Sequence, residues 1–372
     1  MSNNRIKVLV IDDSAIVRDV LGTFISSQDD MELVGIAPDP YIGRDKIVQL
    51  KPDVITLDIE MPRMDGLTFL EKLMRYWPLP VIIVSSITQK DNLTAIKALE
   101  LGAFDVVNKP SGSISVNEIK ENIAIKIRNA YYEKDQFLEK WKKFSDNFNT
   151  QRNKILNEKK DLVNVKENSK KFLGYLNQIK TTDRMVVIGA STGGTVALEY
   201  IFQKLPRVIP PVLVVQHMPP TFTYQFAKRL NELCEPEVKE AEDGEIIQKG
   251  TIYIAPGGYH MELNRSGEIL KIAITDGPRV HFQKPAVDVL FKSVAEITGK
   301  NALAILLTGM GKDGAEGLLE IKKKGGYTIA QDEASSIVWG MPKAAIDLNA
   351  AQDVLPLDII HQKIIDFTPK DF

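Results

Sequence analysis

Five residues of catalytic type stand where apolar runs end. Asp12 and Asp13 follow the run Lys7–Ile11, Asp58 closes Val54–Leu57, Ser85 follows Val81–Val84, and Lys109 follows Phe104–Val107 just before Pro110. If the runs are parallel strands, their carboxyl ends share one edge, where chemistry collects in open sheets. Three carboxylates in one pocket repel one another and call for a divalent cation. Oxygen-only ligands suit Mg²⁺. A carboxylate beside such an ion can attack a phosphoryl group. Lys109 offers that group a point charge and Ser85 a hydroxyl donor. One strand-end aspartate is usually a solvated loop residue, but five polar residues at matching strand ends argue for a site.

A second constellation lies in the other half. Gly189-Ala190-Ser191-Thr192-Gly193 has the G-x-S-x-G form of a nucleophile elbow, a tight turn that exposes the serine hydroxyl. Such a turn could equally bind a phosphate, but no lysine follows it as in a P-loop. A serine needs a base. Of the four histidines, His217 ends the next apolar run, His260 and His281 lie in Gly/Pro-bearing stretches, and His361 sits in the C-terminal segment. The order favours His217 and leaves His260 and His281 open, with His361 expected at the surface. Asp313, beyond the run Ala302–Leu307, can orient the base. The oxyanion donors expected are the N–H of Met310 and groups near Thr192. Gly309 to Gly314 also satisfies G-x-G-x-x-G, with Asp332 about 20 residues on, so a dinucleotide turn is the rival reading. It leaves Ser191 and His217 without a role.

These residues need two sheets to position them. Apolar runs at 7–11, 33–37, 54–57, 81–84 and 104–107 alternate with amphipathic segments. The pattern repeats at 185–188, 212–215, 251–255, 271–274, 302–307 and 327–330. Continuous apolar runs between helical patterns mark strands covered on both faces. The expectation is two doubly wound parallel-sheet α/β domains, flavodoxin-like and Rossmann-like, at 1–128 and 184–372. Between them, 129–183 is expected to be a charged, partly helical linker. From 119 to 180 there are 15 Lys/Arg against 8 Asp/Glu, while Phe137, Trp141, Phe144 and Phe148 keep helical spacing. A flexible linker of 50 residues would span roughly 40 Å.

Of 372 residues, 44% are hydrophobic and 26% charged, and the net charge is −2. That balance suits two soluble cores and gives no bias toward nucleic acid or direct membrane insertion. The single cysteine, Cys234, excludes a disulfide framework and reads as a bystander in a reducing, cytoplasmic setting. No helix-turn-helix pattern follows the first domain.

Val-Ile-Asp-Asp-Ser, Leu-Asp-Ile-Glu-Met-Pro-Arg-Met-Asp-Gly, Val-Ser-Ser and Asn-Lys-Pro resemble the response-regulator receiver family over about residues 5 to 125. The resemblance implies Asp58 as the phosphorylated residue, Asp12 and Asp13 with it as Mg²⁺ ligands, and Ser85 and Lys109 as the switch pair. Ile-Gly-Ala-Ser-Thr-Gly-Gly, Gln-His-Met-Pro, Ile-Ala-Pro-Gly-Gly-Tyr-His-Met, Lys-Pro-Ala-Val-Asp-Val-Leu-Phe, Leu-Thr-Gly-Met-Gly-Lys-Asp-Gly-Ala and Gln-Asp-Glu-Ala-Ser-Ser-Ile-Val-Trp-Gly-Met-Pro resemble the chemotaxis protein-glutamate methylesterase family, CheB, over about 184 to 350. Ala286 stands where that family's pattern suggests Ser. The resemblance implies a serine hydrolase using Ser191, His217 and Asp313, with no cofactor in the esterase site. Its substrates would be methylated glutamates on chemoreceptor cytoplasmic helices, with glutamine deamidation as a possible second activity. Its phosphodonor would be a chemotaxis histidine kinase. A phosphorylation-controlled binding module with an inactive esterase is the alternative.

Overall fold

The computed structural model describes residues 5–86, 89–109, 116–142 and 184–369. In the N-terminal domain β1 (Ile6–Ile11), β2 (Met31–Ala37), β3 (Val54–Asp58), β4 (Val81–Ser85) and β5 (Asp105–Asn108) form one sheet in the order β2-β1-β3-β4-β5. Every pair is parallel. Leu9 and Ile11 join one buried cluster while Val8 and Val10 join another, so both faces of β1 are covered. This explains the unbroken apolar run, since a strand with two buried faces has no solvent side on which polar residues could alternate. The intervening helices are α1 (Ala15–Ser26), α2 (Pro40–Leu50), α3 (Gly66–Tyr76), α4 (Gln89–Glu100) and α5 (Val116–Tyr132). Ser14, Asp39 and Asp65 cap the first three through side-chain oxygens, each cap contributing about 1 kcal/mol.

The C-terminal domain holds a seven-stranded sheet in the order β14-β13-β12-β6-β7-β9-β8. Its strands are β6 (Met185–Ala190), β7 (Val212–Gln216), β8 (Glu237–Glu240), β9 (Thr251–Ile254), β12 (Ala302–Leu306), β13 (Tyr327–Gln331) and β14 (Asp353–Leu355). All are parallel. Val186 and Ile188 face one core, Met185 and Val187 the other. The expected strand at 271–274 is present but belongs elsewhere. It lies in β11 (Ile269–Thr275), an antiparallel hairpin with β10 (His260–Ser266), apart from the parallel sheet. One side of it packs on the core through Leu270, Ile272 and Ile274. Ile269 and Ala273 on the other side made the run look covered on both.

The helical part of the linker includes residues 134–142, here α6, which follow α5 after a single turn residue. Phe137 packs edge-on against Phe104, with centroids 5.0 Å apart, and stacks on Trp141 at 6.4 Å. Trp141 lies against Gly102, whose φ is +101° and where any side chain would overlap the indole. Phe144 and Phe148 fall outside the described residues. The remaining helices are α7 (Gly194–Phe202), α8 (Phe222–Leu233), α9 (Val287–Thr298), α10 (Ala315–Lys323), α11 (Met341–Asp347) and α12 (Leu357–Phe367). Cys234 is buried at the C-cap of α8, a packing position. Among the described residues no helix is long and apolar enough to cross a membrane.

The two domains touch. Helix α4 packs on α7 and α8, and Arg229 of α8 meets Glu100 of α4 at 2.5 Å and Glu199 of α7 at 3.6 Å. One apolar cluster joins Phe104, Phe137 and Trp141 to Val196, Ile337 and Val338. Gly102→Ala should therefore cost more than about 1 kcal/mol, because it strains a positive φ and displaces Trp141. Urea unfolding measures it, and wild-type stability would contradict this seat for the indole.

Candidate active site

At the receiver-domain edge the strands place Asp12, Asp13, Asp58, Ser85 and Lys109 together, as their order requires. Asp12 and Asp58 are buried while Asp13 is exposed. The Lys109 ammonium donates to Asp58 Oδ2 at 2.7 Å and lies 3.2 Å from Asp12 Oδ2. The Ser85 hydroxyl points at the Ser86 carbonyl, 3.5 Å away, and does not bond Asp58. Carboxylate oxygens of Asp12, Asp13 and Asp58 lie within 4.8 Å of one another. Asp12 Oδ2 is buried with the Lys109 ammonium as its ionic partner. Three clustered carboxylates offer an all-oxygen donor set that fits a hard divalent cation.

Burial pushes the Asp58 carboxyl up to about 6, with the Asp12 charge adding to it and Lys109 opposing. Asp12 is also raised, again by burial first. The folded chain thus keeps a proton on Asp58 that the unfolded chain releases near 3.8. Stability from this group therefore falls as pH rises from about 4 to about 6.

The second site is built on the edge of the larger sheet. β6 ends at Ala190 and the chain turns through Ser191, Thr192 and Gly193 into α7. Gly193 has a φ of +78°, which glycine adopts without strain. Ser191 N–H donates to the Thr308 carbonyl at 3.0 Å, and Thr308 Oγ1 donates to the Thr192 carbonyl at 2.9 Å. Gln216 Nε2 donates to the Ser191 carbonyl at 3.0 Å. The elbow is therefore held from β7 and from the end of β12. Gly309 stands so close that a methyl group there would lie 2.7 Å from Ser191 Cβ. The next residue, Met310, thus lies beside the serine and is half-buried.

His217, 8% exposed, lies at the end of β7. Its Nε2 is 2.8 Å from Asp313 Oδ2, while its Nδ1 is buried without a hydrogen-bond partner. Asp313 also accepts the N–H groups of Val287 at 2.7 Å and Asp288 at 2.9 Å. Burial alone would raise the Asp313 carboxyl; the His217 bond and charge, with those two N–H groups, outweigh it and hold it below the usual range. The other histidines have different work. Both nitrogens of buried His260 are engaged by main chain, Nε2 with the Pro278 carbonyl and Nδ1 with Ala286 N–H. His281 pairs with Asp288 at 3.1 Å. His361 is half-buried on α12 rather than fully exposed. The Gly309–Gly314 segment delivers Asp313 to His217, and Asp332 closes its own turn through Ser335, so neither is left for a dinucleotide.

A cavity of about 20 Å³ is lined by Ser191, Thr192, Gln216 and His217 on one side and by Phe104, Phe137 and Trp141 on the other. That volume holds about one water molecule. The sequence reading missed Gln216 and Thr308, and held a docked linker helix only as its minority reading. Gln216 did carry a signal, a polar residue at a strand end next to the favoured histidine.

A receiver-type sheet whose neighbour carries an elbow serine, a histidine and a buried aspartate defines a class: hydrolases governed by a response-regulator domain. Family models match accordingly, the CheB methylesterase over residues 186–364 and the response regulator receiver domain over 8–123. The chain is 48% identical over 367 residues to protein-glutamate methylesterase/protein-glutamine glutaminase 2 of Syntrophus aciditrophicus, covering 97% of this chain and 99% of that one. It is 45% identical over 367 residues to the protein-glutamate methylesterase/protein-glutamine glutaminase of Escherichia coli, covering 97% of each. The crystal structure of the Thermotoga maritima CheB methylesterase catalytic domain is also similar, at 41% identity and a TM-score of 0.49, covering 50% of this chain and 100% of that one. The chain belongs to the CheB methylesterase family.

In EDTA at pH 7.5, Asp58→Asn should raise the melting temperature by removing a buried charge, and the gain should fade toward pH 4. A lower or unchanged value at pH 7.5 contradicts the burial of an ionised Asp58.

Proposed function

We propose that this chain hydrolyses glutamate methyl esters on chemoreceptor cytoplasmic helices, with glutamine deamidation as a second reaction of the same site, under control of phosphorylation at Asp58. The observation that carries the reading is His217. One ring nitrogen rests on Asp313, and the other is uncommitted and shares a cavity with Ser191.

The elbow hydroxyl gives its proton to His217 Nδ1 as Ser191 Oγ bonds to the ester carbonyl carbon. Asp313 keeps the Nε2 proton in place and stabilises the imidazolium. The ring nitrogens exchange roles relative to the serine-protease template, with the same outcome. Main-chain donors at Met310 and Thr192 take the oxyanion. The imidazolium then protonates the departing methoxide as its bond to the acyl carbon breaks. Water, deprotonated by the same nitrogen, cleaves the acyl-serine. With an amide substrate the leaving group is ammonia. The esterase step as proposed needs no metal or cofactor.

In the receiver domain, Mg²⁺ held by Asp12, Asp13 and Asp58 would neutralise the charge of an incoming phosphoryl group. The Asp58 carboxylate accepts that group from a histidine kinase, Lys109 moves its ion pair to the phosphate, and Ser85 turns its hydroxyl toward it. The resting arrangement favours an inhibited state, since Phe104, Phe137 and Trp141 of the receiver side line the same narrow cavity as Ser191 and His217. Phosphorylation then shifts the balance toward the uncovered serine, and in the cytoplasm this resets receptor methylation after a stimulus. A binding module with an inactive esterase is not favoured, since His217 pairs with Asp313 and lines one cavity with Ser191, which supports a working base.

Methanol release from methylated receptor fragments tests the proposal. Acetyl phosphate with Mg²⁺ should raise release by wild type, and Ser191→Ala should lower it by about 10⁶. No release by wild type under any condition would overturn it. Glu100→Lys, which sets like charges against Arg229, should raise the unphosphorylated rate several-fold. An unchanged rate would speak against the covered state.

A further inference from the structure

The Asp313 carboxylate does two jobs. It pairs with His217, and it also caps α9, accepting the N–H groups of that helix's first two residues, Val287 and Asp288. The N-cap residue, Ala286, makes no side-chain cap bond, so the cap comes from another element. The arrangement is reciprocal. Asp288 lies in the first turn of α9 and is 1% exposed; its Oδ1 accepts the N–H of Gly317, in the first turn of α10, at 2.7 Å. Gly317 permits this approach, because a methyl group there would lie 2.5 Å from Phe291 Cβ and 3.1 Å from Asp288 Oδ1. Asp313 immediately precedes the N-cap of α10, Gly314. Each helix thus begins on a carboxylate supplied by the other. Asp288 Oδ2 in turn meets His281 Nε2 at 3.1 Å, in a loop where His281 and Phe282 both have positive φ.

We infer that Asp288, oriented by His281, is a positioning residue for the esterase: by holding the start of α10 it fixes the Asp313 carboxylate against His217. The inference rests on the triad reading above. Asp288 touches neither Ser191 nor the base, and acts through main chain. The charged groups around it are Asp313, His281 and Lys292, the last bridging to Glu316 on α10 at 2.9 Å. Burial, with the neighbouring Asp313 charge, raises its carboxyl; its contacts to the Gly317 N–H and His281 give it the part of a hydrogen-bond acceptor.

The test uses the full chain activated with acetyl phosphate and Mg²⁺, with methanol release as readout. Asp288→Ala should lower kcat about 10- to 100-fold with KM unchanged. It should also move the acid limb of the pH profile to lower pH, because a loosened Asp313 stabilises the imidazolium less. Asp288→Asn keeps an acceptor facing Gly317 and should stay within threefold of wild type. His281→Ala, on a partly exposed loop, should lower kcat about fivefold at unchanged KM, and decides the matter if the alanine variant at 288 does not fold. Wild-type kcat in Asp288→Ala or His281→Ala, or Asp288→Asn falling as far as Asp288→Ala, overturns the inference. Inactivity of wild type itself would instead indict the esterase reading.

Discussion

A charge buried at Asp313 is the constraint around which the C-terminal domain is arranged. An ionised carboxylate removed from water costs several kcal/mol unless polar partners surround it. Here the partners are an imidazole and two N–H groups at the positive end of a helix. Each partner fixes something else. The imidazole must come from the end of β7, next to the elbow at the end of β6. The helix must begin within hydrogen-bond reach of a loop that follows β12. The parallel order β12-β6-β7 puts all three strand ends side by side, so the sheet topology and the site geometry are one fact.

The receiver domain meets this edge through apolar packing, with the Arg229–Glu100 ion pair holding the neighbouring helices together. Helix α6 leaves α5 with Phe137 and Trp141 on the face that covers the serine, and Gly102 leaves room for the indole. An aromatic cluster of this kind excludes water effectively, and a shift in β4, β5 or α4 reaches it through Phe104. Asp58 sits two strands from β5, and Lys109, just past the end of β5, pairs with it. On the proposed function, charge chemistry at this edge acts on packing at the other.

Much of this was legible in the chain because both sheets are parallel. Strands buried on both faces read as unbroken apolar runs, and the residues just beyond them fall on one edge. That logic placed Asp12, Asp58, Lys109, Ser191, His217 and Asp313 where the structure has them. It failed where burial is one-sided or the strand is polar. Lys271–Ile274 read as a core strand but lies in a hairpin, while Glu237–Glu240 at the sheet edge gave no apolar signal. Asp288 acts across a distance of sequence that no local pattern reports. Nor could spacing say which nitrogen of His217 faces Asp313, since that follows from the ring's orientation at the end of β7. The helical spacing of Phe137 and Trp141 did report the helix that begins the linker, but not the surface it packs on.

The central claim is that the serine is assembled but covered until the receiver domain is phosphorylated. Its most direct measurement is the rate at which a fluorophosphonate labels Ser191 in the full chain, without and with acetyl phosphate and Mg²⁺. The account predicts slow labelling at rest and labelling about tenfold faster after phosphorylation, with none in Ser191→Ala. Equally fast labelling in both states would contradict it.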